Sequence, residues 1–287
     1  MPDVERSLRK AAQRLHPVPY WVLEKDYALG YLLSGMAQVP ALSEALVLKG
    51  GTALRKFYFA DYRFSEDLDF STLAKPADID AAMHAAADAT RAMLLEEGPF
   101  EVALERLTLR DPHPGGQDGF TARVRFPNHR EAMCRLKVEI THDEEVLMPP
   151  VLRSLLHPYP DPPSADWRCY ALDEVIAEKL RALLQSRARL QARGWGASRV
   201  CRDYYDLWYL LRHSAPISGS FADLLSRKCA LRQVTYSDVD DLLVPELQAV
   251  AEAEWERQLL PFVPAAPSAA QVLFELKALL ANVPLKP

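Results

Sequence analysis

Apolar and polar positions change period several times along this chain, and the changes divide it into elements. Residues 3–15 alternate charged and aliphatic side chains at helical spacing until Pro17 and Pro19 break the pattern. A second helix is expected over Tyr20–Ala37, with Trp21, Leu29, Leu32 and Leu33 among its apolar residues. The apolar run Ala45–Leu48 reads as a buried strand. Gly50 and Gly51 follow it, and then a helical turn over Thr52–Phe59. At Asp67-Leu68-Asp69-Phe70 the period becomes two, which predicts a strand with one polar and one apolar face. The Ala-rich segment Asp78–Glu97 predicts a helix. Phe100–Arg110 and Gly119–Phe126 alternate as strands around the polar, glycine-bearing connection DPHPGGQDG, and Cys134–Thr141 alternates again.

Met148–Trp167 is rich in proline and reads as an irregular crossing segment, which places a domain boundary there. From Asp173 the pattern is helical. DEVIAEKLRALLQSR opens acidic and closes basic, as the helix dipole favours, with Val175, Ile176, Leu180, Leu183 and Leu184 on its apolar face. A helix over Arg199–His213 follows, and three or four more lie between Phe221 and Val283, where the acidic YSDVDDLL segment suits helix capping. The expected fold class is α+β: a mixed or antiparallel sheet with flanking helices over residues 1–160, and a C-terminal helical bundle over 161–287.

A chain of 287 residues accommodates one large domain or two packed ones. Its 49% hydrophobic and 25% charged residues are ordinary for a globular protein. A net charge of −5 argues against non-specific coating of nucleic acid but leaves room for a local basic groove. Cys134, Cys169, Cys201 and Cys229 show no Cys-x-x-Cys spacing, which suits buried thiols in a reducing cytoplasm. No apolar run is long enough for a membrane span, and MPDVERSLRK has no signal-peptide core.

The candidate chemistry is concentrated in VLKGGTALRKFYFADYRFSEDLDFS, residues 47–71. Asp67 and Asp69 project from one strand face, and two carboxylates held together repel unless a cation lies between them. Magnesium takes one or two carboxylates plus substrate phosphates. The Gly50-Gly51 turn lets backbone approach a ligand, and the helix N-terminus near Thr52 offers N–H groups to a phosphate. In order on strand, helix and strand, these features describe a nucleoside triphosphate site. The plainer alternative is a simple turn and a carboxylate pair bridged to Arg55 or Arg63. In CRLKVEIT, Lys137 and Glu139 share one face, either beside the acidic strand or on a half-exposed edge. Lys25 and Asp26 read as surface charges. Lys179 lies beside the apolar face of its helix, where an ion pair with Asp206 could staple two helices. An Arg202–Asp206 pair at i,i+4 is the other local option. SRARLQARGWGASR places Arg187, Arg189, Arg193 and Arg199 around Trp195, between Gly194 and Gly196, an arrangement suited to a single-stranded RNA end or to a solvated helix end.

The order hydrophobic–Gly-Gly-Thr … Asp-x-Asp resembles the polymerase-beta-type minimal nucleotidyltransferases. The fuller strings LKGGTALRK and RFSEDLDF, with EKDYALGYLL ahead of them and EKLRALLQ and RDYYDLWYLL behind, resemble the AbiEii/AbiGii abortive-infection toxins of type IV toxin–antitoxin systems. The long interval from Thr52 to Glu66 favours that family over relatives with a closer acidic pair. The resemblance implies a nucleotidyltransferase-like mixed sheet, with the helical bundle closing a nucleotide cleft. It implies Asp67, Asp69, Lys179 and Asp206 as catalytic residues, with Lys179 on nucleotide phosphate, Asp206 rather than Asp203 beside it, and Glu139 as a third carboxylate. It points to Gly50, Gly51, Thr52, Arg55, Ser65, Lys137 and Lys179 for nucleotide binding, and to two Mg²⁺ ions on the acidic pair. The implied partners are a nucleoside triphosphate, an RNA acceptor such as a transfer-RNA 3′ end, and a cognate antitoxin. Transfer to a protein or small molecule, or a catalytically silent nucleotide-binding scaffold, are the other readings.

Ser65 lies two residues before Asp67, at the rim of the expected pocket. A phosphate on it would add roughly −1.5 to −2 charges beside the acidic pair and repel a triphosphate. As a control point of this kind, Ser65 predicts that Ser65→Asp alone weakens Mg–nucleotide binding in calorimetry; as a direct ligand it predicts loss in both Ser65→Asp and Ser65→Ala, and as a hydroxyl that only caps its turn, loss in neither. Equal affinity in wild type and both variants would remove any such control.

Overall fold

In the computed structural model, residues 4–97, 100–108, 115–126, 129–131, 133–159, 164–197, 199–214 and 217–285 are described. Part of the DPHPGGQDG connection, residues 111–114, lies outside them. The chain divides into two compact units, Met1–Tyr170 and Ala171–Pro287.

The first unit carries helices α1 (Val4–Arg14), α2 (Tyr20–Ala37) and the short α3 (Pro40–Ser43), then strand β1 (Leu46–Lys49). One continuous helical segment follows, an α-turn α4 (Gly50–Ala53) that passes into a π-turn, Leu54–Tyr58. Next come β2 (Asp67–Thr72), α5 (Ile79–Glu97), β3 (Glu101–Arg106), β4 (Gln117–Arg125), β5 (Cys134–Thr141), β6 (Val151–Ser154) and β7 (Asp166–Cys169). The seven strands form one mixed sheet in the order β3-β4-β5-β2-β1-β7-β6. β2 runs antiparallel to β1 and parallel to β5. The α+β expectation holds.

Two sequence-based expectations change here. The stretch expected to be irregular, Met148–Trp167, contains β6 and the start of β7, which pair antiparallel at one edge of the sheet. Each has four residues, too few for period-two alternation to stand out between prolines. Because β7 also pairs with β1 and buries Trp167 and Cys169, the compact unit extends to Tyr170, past the boundary expected at residue 160. β5 is no edge strand, since β4 and β2 flank it.

Helix α2 is buried on nearly every face, as expected of a helix inside a core rather than on it. It packs on α5 so closely that a Cβ at Gly35 would stand 2.7 Å from the Ala86 carbonyl. Trp21 is the exception; it is exposed, with the Lys25 ammonium 5.5 Å from its ring centre. Asp26 is no surface charge. It is fully buried and ion-pairs with Lys56 of the π-turn at 2.8 Å, while Lys56 also donates to the Asp26 carbonyl at 2.8 Å. The Tyr159 hydroxyl donates to the same carboxylate at 3.0 Å.

The second unit is helical: α6 (Leu172–Arg193), α7 (Val200–His213), α8 (Phe221–Ala230), a 3-10 turn at Val239–Leu242, α9 (Pro245–Gln258) and α10 (Ala269–Leu280). Asp238 caps the 3-10 turn by accepting from the Asp240 N–H, in keeping with a capping role for YSDVDDLL. Polar staples join the helices. Lys228, 1% exposed, pairs with Glu174 at 2.7 Å. The Tyr204 hydroxyl donates to the Leu242 carbonyl at 2.7 Å, and Trp208 donates to Glu275 at 2.8 Å.

The Asp26–Lys56 pair yields a stability prediction. Burial alone would raise the Asp26 pKa; the Lys56 and Arg55 charges and the hydrogen bonds from Lys56 and Tyr159 outweigh it and hold the carboxyl below its usual range. A depressed carboxyl stabilises above its unfolded value, near pH 4, and loses that contribution as pH falls through the lower folded value. Asp26→Asn strands a buried ammonium and is expected to cost about 3–5 kcal/mol in urea unfolding. Adding Lys56→Met is expected to restore most of the loss.

Candidate functional site

The site is built on the C-terminal end of β1, the N-terminal end of β2 and the middle of β5. Leu68 and Phe70 point into the core with no exposure, which turns Asp67 and Asp69 to the other face, half-buried. The parallel β2–β5 register sets Asp67 opposite Lys137 and Asp69 opposite Glu139. Residues opposed in this way share a face about 5 Å apart. Glu139 therefore does stand beside Asp69, but it is already engaged: Lys137 Nζ lies 2.7 Å from one of its oxygens, and the Gln117 amide donates to the other at 2.9 Å.

On the other side of β2, Lys49 is the register partner of Asp69. It is buried, pairs with Glu144, and lies 5.8 Å from the Tyr170 ring centre. The Tyr170 hydroxyl in turn donates to Ser71 Oγ at 2.7 Å. Sequence reasoning missed Lys49, although it is the second residue of the LKGGTALRK string.

Immediately after Lys49 the backbone turns through Gly50, at φ 73°, a conformation that costs a side-chain-bearing residue about 1–2 kcal/mol. A Cβ at Gly50 would stand 3.0 Å from Asp69 Oδ2. One at Gly51 would stand 2.9 Å from Arg63 Nη2 and 3.1 Å from Ser65 Oγ. The turn, the Asp69 carboxylate, the Arg63 guanidinium and the Ser65 hydroxyl thus meet within van der Waals range. Arg63, read from the sequence only as a bridging partner for the acidic pair, is buried at this turn, donating to the Phe64 carbonyl at 3.1 Å.

Two residues expected to bind nucleotide face elsewhere. Arg55 is buried, donates to the Ala60 carbonyl and, at 2.8 Å, to the Tyr62 carbonyl, and stacks 4.1 Å from the Phe64 ring centre. The π-turn carries it inward, where it holds the 60–64 loop instead of reaching a ligand. Thr52 is 1% exposed and spends its hydroxyl on the Asp67 carbonyl, so only its backbone could serve an anion. The EKD segment of α2 supports the same region twice, through Asp26–Lys56 and through Lys25, which meets Glu66 at 2.9 Å.

In the second unit, Lys179 Nζ stands 2.9 Å from Asp206 and 2.7 Å from Asp203. Asp203 is therefore a partner alongside Asp206, contrary to the lower rank it had from the resemblance; one helical turn brings both to the same ammonium. Asp206 is fully buried, whereas Lys179 and Asp203 keep some exposure. Arg187 leaves the arginine cluster around Trp195: it pairs with Asp241 and donates to the Thr235 carbonyl at 3.1 Å.

Among the described residues, no three or more His, Cys, Asp or Glu side chains are grouped as a metal cage. The donor set nonetheless suits magnesium, which needs only one or two carboxylates when substrate phosphates complete its shell. Asp67 and Asp69 supply two hard oxygen donors on one face. No helix among the described residues is long and apolar enough to cross a membrane.

A family model described as "Nucleotidyl transferase AbiEii toxin, Type IV TA system" matches residues 31–277. No curated protein matches the chain.

The geometry of the turn gives a direct test. Gly50→Ala combines a strained φ with a methyl group pressed on Asp69 and is expected to lose about 1–2 kcal/mol in urea unfolding. Gly219→Ala, where an added Cβ meets nothing within 4 Å, is expected to unfold like wild type. Equal midpoints for the two variants would contradict the strained turn.

Proposed function

The chain belongs to the AbiEii family of nucleotidyltransferase toxins of type IV toxin–antitoxin systems, and from that membership we propose a magnesium-dependent transfer of nucleotide to an RNA acceptor, the 3′ end of a transfer RNA. Family membership implies a cognate antitoxin and a nucleotide substrate. The observation that carries the reading is the contact between the Gly50 turn and Asp69, with a Cβ at Gly50 only 3.0 Å from the carboxylate. An anion-accepting turn and a metal-accepting carboxylate pair stand side by side, as a triphosphate with its cation requires.

In this proposal Asp67 and Asp69 hold the metal, which would neutralise charge developing on the phosphates. The backbone of Gly50, Gly51 and Thr52 receives phosphate oxygens, with the Arg63 charge and the Ser65 hydroxyl at the same turn. Lys179, oriented by Asp203 and Asp206, contributes its ammonium to the triphosphate. The acceptor hydroxyl oxygen forms a bond to the α-phosphorus, its proton passes to a carboxylate of the sheet face, and pyrophosphate leaves as the bridging P–O bond breaks. Glu139, tied to Lys137 and Gln117, is the carboxylate on this face that the metal pair does not use. Blocked acceptor ends would halt translation, which accounts for toxicity.

The test is incubation of purified protein with Mg²⁺, each labelled nucleoside triphosphate and total RNA. Label is expected in a transfer-RNA-sized band, absent with Asp67→Ala or Asp69→Ala and reduced at least about a hundredfold with Lys179→Met, the scale of one lost transition-state contact. Label in protein alone would redirect the reaction to a protein acceptor, and full activity in Lys179→Met would leave that lysine a purely structural role.

A further inference from the structure

From Lys179 to Arg202 the chain carries seven cations and no acid, within a protein of net charge −5. The structure sorts them. Lys179 is held by Asp203 and Asp206, and Arg181 donates to Gln185 at 2.9 Å. Arg187 is held by Asp241, and Arg202 donates to the Gln258 carbonyl at 2.8 Å while stacking 4.4 Å from the Phe262 ring centre. Arg199 is exposed but has a partner of its own, whereas Arg189 and Arg193 are exposed on the same stretch as Trp195, which is 67% exposed.

The loop that carries Trp195 has a defined shape. Gly194 ends α6 at φ 73°, its N–H donating to the Leu190 carbonyl at 2.8 Å, and Gly196 follows at φ 102°. Ala197 and Val200 are buried, and the Val200 N–H donates to the Ala197 carbonyl at 3.0 Å, which anchors the return into α7. Arg193 lies 5.8 Å from the indole centre. The Arg189 stem lies along Gly196, whose added Cβ would be 3.8 Å from Arg189 Cβ. The indole is open to water with Arg193 beside it and Arg189 against the next glycine, which leaves an aromatic face for a flat group to stack on.

We propose that Arg189, Arg193 and Trp195 form a platform that grips a single-stranded nucleic acid, one unpaired base stacking on the indole and the two guanidinium groups pairing with the flanking phosphates. This rests on the acceptor in the proposed reaction being an RNA. A base with an open face is what an exposed aromatic ring receives, and duplex ends hide most of theirs. A purely acidic polypeptide would use the arginines but leave the indole without a partner.

The experiment is fluorescence anisotropy of a labelled single-stranded RNA of about a dozen nucleotides, a length on the order of one binding-site size, titrated with the full chain without nucleoside triphosphate. Wild type is expected to bind with an affinity that falls with salt, by roughly 0.7 in log–log slope per phosphate contacted. Trp195→Ala is expected to weaken binding on the order of tenfold or more, the range of one lost base stack. Trp195→Phe is expected to retain most of it, and the Arg189→Glu/Arg193→Glu pair to lose more than Trp195→Ala. Thermal melting checks that these exposed substitutions leave the fold intact. No binding by wild type, equal affinity in Trp195→Ala, equal losses in Trp195→Phe and Trp195→Ala, or equal binding of a blunt duplex would each overturn the platform. So would RNA binding that an oligoglutamate peptide matches through the arginines alone. Because no transfer occurs in this assay, loss of the platform and failure of the transferase reading register separately.

Discussion

The first unit depends on one buried ion pair. Asp26 and Lys56 join helix α2 to the π-turn that follows the glycine pair, and both are almost wholly removed from water. Such a pair repays its desolvation only as far as further hydrogen bonds satisfy it; here the Tyr159 hydroxyl and the Asp26 carbonyl contribute, while Asp26 Oδ1 stays buried without a hydrogen bond. What the pair supplies is position. A π-turn widens the helix by one residue, a geometry often found at functional sites. With Lys56 pinned, the turn sends Arg55 into the loop that leads to Ser65 and leaves Gly50 and Gly51 against Asp69 and Arg63.

The same logic of opposed charges governs the sheet face. Asp67, Asp69 and Glu139 would repel one another in isolation. The register sets Lys137 opposite Asp67 and Lys49 opposite Asp69, and the two ammonium groups pair with Glu139 and Glu144.

The second unit uses cations differently. Lys228, Arg187 and Arg202 are spent on fixing helices to one another and to carbonyls, and Lys179 is held between two aspartates of α7. The arginines at the far end of α6 are left outward, around an indole set by two glycines with positive φ. One helical body, with as many acids as bases, therefore carries a basic, stackable corner.

The sequence alone determined the helices, the alternating strands and the Gly-Gly … Asp-x-Asp order, because these follow from local periodicity and from residues with particular backbone or charge properties. Cys134–Thr141 and Tyr20–Ala37 match their expected ranges, and the shared face of Asp67 and Asp69 follows from strand geometry. Tertiary structure decided what lies far apart in sequence. It made Asp26 a core residue by bringing Lys56 to it, turned Arg55 inward through a π-turn no pattern announces, and found strands in a proline-rich segment by pairing β7 with β1. It also gave Lys179 two aspartates and moved Arg187 from the exposed cluster to Asp241. In each case the deciding term is the desolvation of a charge or of a backbone group. That cost depends on which distant atoms fill the space around it, and no local spacing carries that information.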